Sequence, residues 1–268
     1  MNARGFELVF GPTRAIIRSG LIWTVCIASI VFVTIAVWPA FKGNTSIDEA
    51  MNNLPSGVVE AFGLAGFGTP AGFLRANLYD FFIPILMAGA AVGFANSLTS
   101  SEEDNGRLEI ILAQPVRRQA IFLGRILAAI VWIVLITVAT TIVQFGSDAL
   151  FDLQIGADRL LATLALSGLF AVFAACLTFA ISGFYGKPSL ALGVGLFVVI
   201  GGCIIASLFP ISSSLAEFAH LSPWDWAFAG DPLSGNTEPW RYLVMAGPAL
   251  ALAIFGIWSF GRRDIAAA

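Results

Sequence analysis

Few residues in this sequence can do chemistry, and one stretch gathers most of them. From Ser100 to Arg118 it reads Ser-Ser-Glu-Glu-Asp-Asn-Gly-Arg-Leu-Glu-Ile-Ile-Leu-Ala-Gln-Pro-Val-Arg-Arg, the densest cluster of charge in the chain. Ser100 with Glu103, or Ser101 with Asp104, fits a capping box that starts a helix. Leu108, Ile111 and Leu112 fall at i, i+3 and i+4, which is one apolar stripe. Arg107, Glu109 and Gln114 project elsewhere. Pro115 disfavours helical geometry at Gln114 and ends the segment. The spacing predicts a short amphipathic helix. Taken alone, such a helix also describes an interfacial segment with a solvated charged face.

The other reactive side chains are scattered. There is one histidine, His220, and there are two lysines, Lys42 and Lys187. His220 has no neighbour at metal-ligand spacing. Cys26, Cys176 and Cys203 lie in apolar runs without a CxxC spacing, so they read as small buried hydrophobes. No HExxH or Gly-x-Ser-x-Gly occurs, which argues against a membrane-embedded hydrolase. No Gly-x-x-x-x-Gly-Lys-Ser/Thr loop occurs either, and the Gly186-Lys187 pair is followed by Pro188. Asp80 sits near one end of an apolar run and reads as a wetted terminus. Pro84 is expected to kink that run. Gly89 and Gly93 form a GxxxG, read as ordinary helix packing.

These residues must be positioned by membrane helices. Of 268 residues, 58% are hydrophobic and only 12% are charged, against about 25% charged in an ordinary soluble domain. The net charge of -3 gives no reason to expect a nucleic-acid partner. A span needs about 20 mostly apolar residues. Six stretches meet that length, at about 19–38, 77–97, 120–145, 160–183, 189–209 and 242–260. The first is expected to stop at Pro39. It is too long for a signal-peptide core and lacks a cleavage site, so it reads as a retained span. The segment before it, about Phe6 to Arg18, is either a helix lying on the membrane surface or a plain basic anchor.

Orientation follows from the basic residues. Arg4, Arg14, Arg18, Arg107, Arg117, Arg118, Arg125, Lys187, Arg262 and Arg263 fall on one side. Lys42, Arg75, Arg159 and Arg241 fall on the other, four of the fourteen. This places both termini and the segment 100–118 in the cytoplasm. Arg125, one turn inside the third span, is expected to snorkel to the cytoplasmic face. Two outer loops are long, about Ala40 to Ala76 and Pro210 to Arg241, and the second is expected to dip back against the membrane surface. Gly186-Lys187-Pro188 makes a very short inner turn, with Pro188 in the first turn of the fifth helix. The whole chain forms one all-α transmembrane domain.

The segment 100–118 resembles the signature of the ABC-2 family of transporter permeases. That signature is an acidic cluster, a glycine, a small residue, leucine-glutamate, an apolar run, then proline-valine-small-arginine. Glu102-Glu103, Gly106, Leu108-Glu109, Ile110-Ile111-Leu112, Pro115-Val116 and Arg118 supply it here. Arg107 stands where threonine is usual, and Arg117 where serine is usual. Leu221-Ser222-Pro223-Trp224, Gly230-Asp231-Pro232-Leu233 and the run from Phe260 to Ile265 are also similar to this family, so the resemblance covers nearly the whole chain.

The resemblance implies the permease subunit of an ATP-binding cassette transporter, itself no enzyme. Two cytoplasmic ATPase subunits would hold the ATP and magnesium, and no cofactor would reside in this chain. The segment would be a coupling helix docked in a groove of the ATPase. On that reading Leu108, Ile111 and Leu112 fill the groove, while Glu109 and Arg118 fix orientation. Gly106 allows a bend or close approach, and Pro115, followed by Val116, sets the exit toward the third span. Glu102 and Glu103 favour the helix N-terminus or pair with basic residues of the partner. Six spans are half of the usual set, so a second copy or a paralogue is implied. The expected place is the plasma membrane of a prokaryote, and the expected cargo of export is hydrophobic or amphipathic. The alternative is a self-contained secondary transporter or channel, which the near absence of ionisable groups in the spans disfavours.

Overall fold

The computed structural model of the chain describes residues 11–42, 59, 66–105, 117–212, 214–236 and 238–263. The described residues form helices and turns, with no strand among them. Six helices are long and apolar enough to cross a membrane: Ile17–Phe41, Pro70–Asp104, Arg118–Phe151, Ala157–Tyr185, Pro188–Ile211 and Trp240–Arg262. They are called spans one to six below. Hydrocarbon offers no hydrogen bonds, so a crossing chain must pair its own amides, and an α-helix does this locally. The protein is a multi-pass membrane protein.

Span four is the hub. It packs against spans two, three, five and six. Its buried residues include the unbroken run Leu166, Ser167, Gly168 with Phe170, Ala171, Phe173, Ala174, Ala175 and Cys176, which circles the helix. A helix apolar and buried all round belongs in the middle of a bundle. Span one is the opposite case. Only Gly20, Ile27, Val31, Ile35 and Trp38 are buried, a single stripe turned to spans two and three. Leu21, Ile22, Val25 and Val33 are exposed on the other face, which is a face for lipid. Cys26 is exposed on it too, while Cys176 and Cys203 are buried. Hydropathy places a cysteine in a span but does not choose its face, so the expectation of burial fails at Cys26.

Span one also runs on through Pro39 to Phe41. A proline in the last turn forfeits one hydrogen bond only, and the Lys42 N–H continues the pattern onto the Trp38 carbonyl at 3.1 Å. Beyond residues 11–15, which are helical, the basic N-terminal segment lies outside the described residues. Trp132 ties that helical turn to span three by donating its Nε1–H to the Thr13 carbonyl at 3.0 Å.

Span two is interrupted. Thr69 accepts from the Gly72 N–H at 3.1 Å and caps the start, with Pro70 in the first turn. An α-turn Pro70–Leu74 widens into a π-turn Arg75–Tyr79, closed by the Asp80 N–H on the Arg75 carbonyl at 2.9 Å. The helix then breaks at Asp80-Phe81 and resumes over Phe82–Ser97. Pro84 explains the place of the break. A proline ring collides with the carbonyl four residues before it, here Asp80, and leaves that carbonyl without its donor. The kink expected at Pro84 is therefore a break one turn earlier.

The loop after span five folds back onto the bundle. Ser222 accepts from the Trp224 N–H at 3.1 Å, starting the helix Pro223–Phe228. The same hydroxyl donates to the Gly202 carbonyl in span five at 2.7 Å. Trp224 is buried and meets Phe170 edge-to-face at 5.2 Å. Most of the first long loop lies outside the described residues.

Gly89 and Gly93 have open space where a side chain would stand, with nothing within 4 Å. Among the described residues nothing packs against the Cβ positions of this GxxxG. The close approach that glycine permits occurs elsewhere. A Cβ on Gly183 would fall 2.6 Å from the Gly256 carbonyl oxygen, and one on Gly256 would fall 3.2 Å from the Ala180 Cα. Spans four and six touch there backbone to backbone.

Candidate functional site

Of the candidate residues, Glu102, Glu103 and Arg118 are described by the structure. Gly106, Leu108, Glu109, Ile111, Leu112, Pro115 and Val116 lie outside the described residues. The described parts of the segment 100–118 are its start, at the end of span two, and its entry into span three.

Span two ends at Ser97, and a short helix Ser100–Asp104 follows. The expected capping box does not form. Thr99 takes the cap position with no side-chain cap, because its hydroxyl donates back to the Ala95 carbonyl at 2.5 Å. Ser100 is fully buried. With Ser100 inward, the side chains of Glu102 and Glu103, two and three residues on, reach arginines of the bundle.

Each glutamate meets an arginine from another span. Glu102 Oε2 lies 2.5 Å from Arg125 Nη2 in span three. Glu103 Oε2 pairs with Arg263 Nη2, just past span six. Arg263 also donates from Nη1 to the Ser182 carbonyl of span four at 3.0 Å. Arg118, at the start of span three, donates to the Arg263 carbonyl at 3.3 Å. One layer thus joins the segment's two ends to spans three, four and six. Beneath it Phe122 stacks on Phe260 at 4.6 Å and meets Phe179 edge-to-face at 5.6 Å. The aromatic layer joins the same three spans.

Burial gives these pairs their weight. The Arg125 side chain is 2% exposed and the Glu102 side chain 13%. Arg125 therefore does not snorkel to the surface but turns inward to a carboxylate. In low dielectric a guanidinium and a carboxylate in contact attract far more strongly than in water. Arg125 Nη1 is buried without a hydrogen-bond partner among the described residues. The arrangement holds charge in fixed places and can carry force between helices. It contains no activated nucleophile. Both glutamates stand in the first turn of the helix Ser100–Asp104, one of the two places expected from sequence, and are paired inside the chain.

Gly186 completes the layer. It sits in the left-handed region at φ +67°, ending span four before Lys187-Pro188. A Cβ there would lie 2.2 Å from Arg263 Nη1. Gly186→Ala should cost about 1–2 kcal/mol for the left-handed backbone alone and also unseat Arg263. The expected result is a lower melting temperature in detergent. The variant should also lose sensitivity to a second change, Glu103→Gln, because that pair is already broken.

The comparisons with known proteins bear on this geometry. The family model described as ABC-2 family transporter protein matches residues 13–265. The chain belongs to the ABC-2 transporter family. The match takes in all six spans, the segment 100–118 and the returning loop. The ABC-2 chain is accordingly the membrane component of an ABC transporter, a transport subunit. No curated protein matches it.

Asp80 and His220 are the remaining titratable candidates. The Asp80 carboxylate is only 29% exposed and lies 3.5 Å from Arg75 Nε, so it is not the wetted terminus expected. His220 is exposed, with Nδ1 3.1 Å from Asp225 Oδ2. No group of three or more metal-ligating side chains occurs among the described residues. The ion pairs Glu102–Arg125 and Glu103–Arg263 had no signature in sequence, since their partners are 23 and 160 residues apart.

Proposed function

We propose that this ABC-2 chain is a permease whose segment 100–118 receives the movement of a separate cytoplasmic ATPase and passes it to spans three, four and six. The observation that carries the reading is the layer Glu102–Arg125, Glu103–Arg263 and Arg118, which fastens both ends of the segment to those helices. A load on the segment is borne by buried ion pairs and a stacked aromatic layer, not by a free loop. The arginine distribution supports a cytoplasmic position for the segment and both termini.

Within the segment, Leu108, Ile111 and Leu112 enter an apolar groove of the ATPase, and Glu109 makes a charged contact with it. Gly106 and Pro115-Val116 shape the turns on either side. ATP and magnesium act on the partner. On this reading no nucleotide is placed on this chain, whose one Gly-Lys pair, Gly186-Lys187, is followed by Pro188 at the start of a helix. Two ATPase subunits and a second permease, a copy or a paralogue, complete the assembly in a prokaryotic plasma membrane. The cargo is hydrophobic or amphipathic and moves outward.

The test is co-purification. The tagged chain, extracted in mild detergent from its native membrane, should bring down a P-loop ATPase in stoichiometric amount. Leu108→Asp with Leu112→Asp should abolish the association while leaving the permease folded. Glu109→Lys should keep ATP hydrolysis but reduce transport at least tenfold. Recovery of other intact membrane complexes without any ATPase would remove the basis of this reading and favour the self-contained carrier.

A further inference from the structure

At the end of the bundle opposite the segment 100–118 lies a cavity of about 270 Å³. It opens between the break in span two, the end of span five and the helix Pro223–Phe228. Asp80, Phe81, Ser207, Trp224, Asp225 and Phe228 are among the residues lining it. Two carboxylates and three aromatic side chains share this small space, and among the described residues no lysine or arginine lines it.

The nearby arginines make their shortest ion pairs outside the cavity lining. Arg75 gives Nη1 to Asp231 at 2.6 Å, and its Nε lies 3.5 Å from Asp80. Arg241 pairs with Glu238 at 2.8 Å and reaches Asp225 through the backbone carbonyl, not the carboxylate. The Asp225 carboxylate Oδ2 lies 3.1 Å from His220 Nδ1. Among the described residues, the shortest ion pairs of Arg75 and Arg241 go to Asp231 and Glu238, while Asp80 and Asp225 have longer contacts, at 3.5 Å to Arg75 and 3.1 Å to His220. The Asp225 side chain is 17% exposed and that of Asp80 29%, so water screens them only in part.

Carboxylates bordered by aromatic rings recognise ammonium groups by charge and by cation–π attraction. A metal ion is disfavoured by the absence of a third ligating group among the described residues. One turn along span five, an apolar groove of about 380 Å³ runs past Gly201, Ile205, Phe209, Phe218 and Pro223. A molecule with a cationic head and an apolar body matches this neighbourhood. We propose that the cavity binds an organic cation, an alkyl- or arylammonium, as the head of the transported molecule. As a substrate site this rests on the transport reading, whereas as a binding site it stands alone.

The test uses the full-length protein in nanodiscs without ATP or partner. The probes are benzyltrimethylammonium and its uncharged carbon isostere, 2,2-dimethylpropylbenzene, each corrected against empty nanodiscs. The wild-type protein should bind the cation and show no binding of the isostere above that background. Asp225→Asn should weaken cation binding at least tenfold. Ala206→Phe, which fills the cavity and leaves both carboxylates, should do the same. Asp158→Asn, elsewhere on the same end, should leave it unchanged. Equal binding of the two probes overturns the proposal, as does wild-type affinity in both cavity variants. Should Asp225→Asn fail to fold, Ala206→Phe decides. Cation binding in a protein that never captures an ATPase keeps the site and removes the transport reading instead.

Discussion

Arg125→Met is expected to destabilise the folded chain by about 3–5 kcal/mol, the usual cost of leaving one member of a buried ion pair behind. The orphan is Glu102, whose side chain is 13% exposed, so water replaces the guanidinium only in part. The double variant Glu102→Gln/Arg125→Met should recover most of that loss, because the amide carries no charge and methionine fills similar volume. Thermal unfolding of the four proteins in one detergent gives the coupling directly. A melting temperature for Arg125→Met equal to that of the wild type would show that the pair is not closed in the folded protein. The contrast is Lys42–Asp152, a pair at 3.4 Å with both side chains more than half exposed. Removing either of those partners should leave the melting temperature unchanged.

The second large effect is at the crossing of spans four and six. Gly183→Val should cost at least the upper end of the roughly 1–3 kcal/mol typical of overpacking, and it should stop the chain accumulating as a monodisperse species. What the new Cβ meets, at 2.6 Å, is the Gly256 carbonyl oxygen. Backbone cannot rotate away as a side-chain tip can, so the two helices must separate. The same substitution at Gly93 meets open space and should leave the single chain folded. Size-exclusion profiles of the two variants decide the matter, and equal profiles would contradict the close crossing.

The parts of the molecule that sequence revealed are those governed by local composition. Six spans are legible because lipid demands an apolar stretch of fixed length. The turn between spans four and five is legible because glycine and proline each have one conformational use there. The site is legible only as a segment. Glu102, Glu103 and Arg118 stand out as charges, but their partners lie on other helices. Nothing in the order of residues tells Arg263 that Glu103 is its neighbour. Arg125 shows the same limit. An arginine one turn inside a span can reach outward to solvent or inward to a carboxylate, and only packing chooses. The break in span two was half visible. Pro84 announces a disturbance, and the geometry of its ring moves the break to Asp80. The wide turn over Arg75–Tyr79 carries no such marker.

The position of Arg263 has a consequence for how the protein is made. It lies beyond span six, so the ribosome adds it after all six of these spans have been synthesised. Glu103 emerges much earlier, with span two, and must wait without its arginine while spans three to six are threaded into the bilayer. Arg125 arrives with span three and can take up Glu102 at once. The layer is therefore assembled in two stages, an early buckle and a late one. The late buckle closes on Gly186 and span four only when synthesis has passed the sixth helix, so an interrupted product carries the segment 100–118 fastened at one glutamate alone.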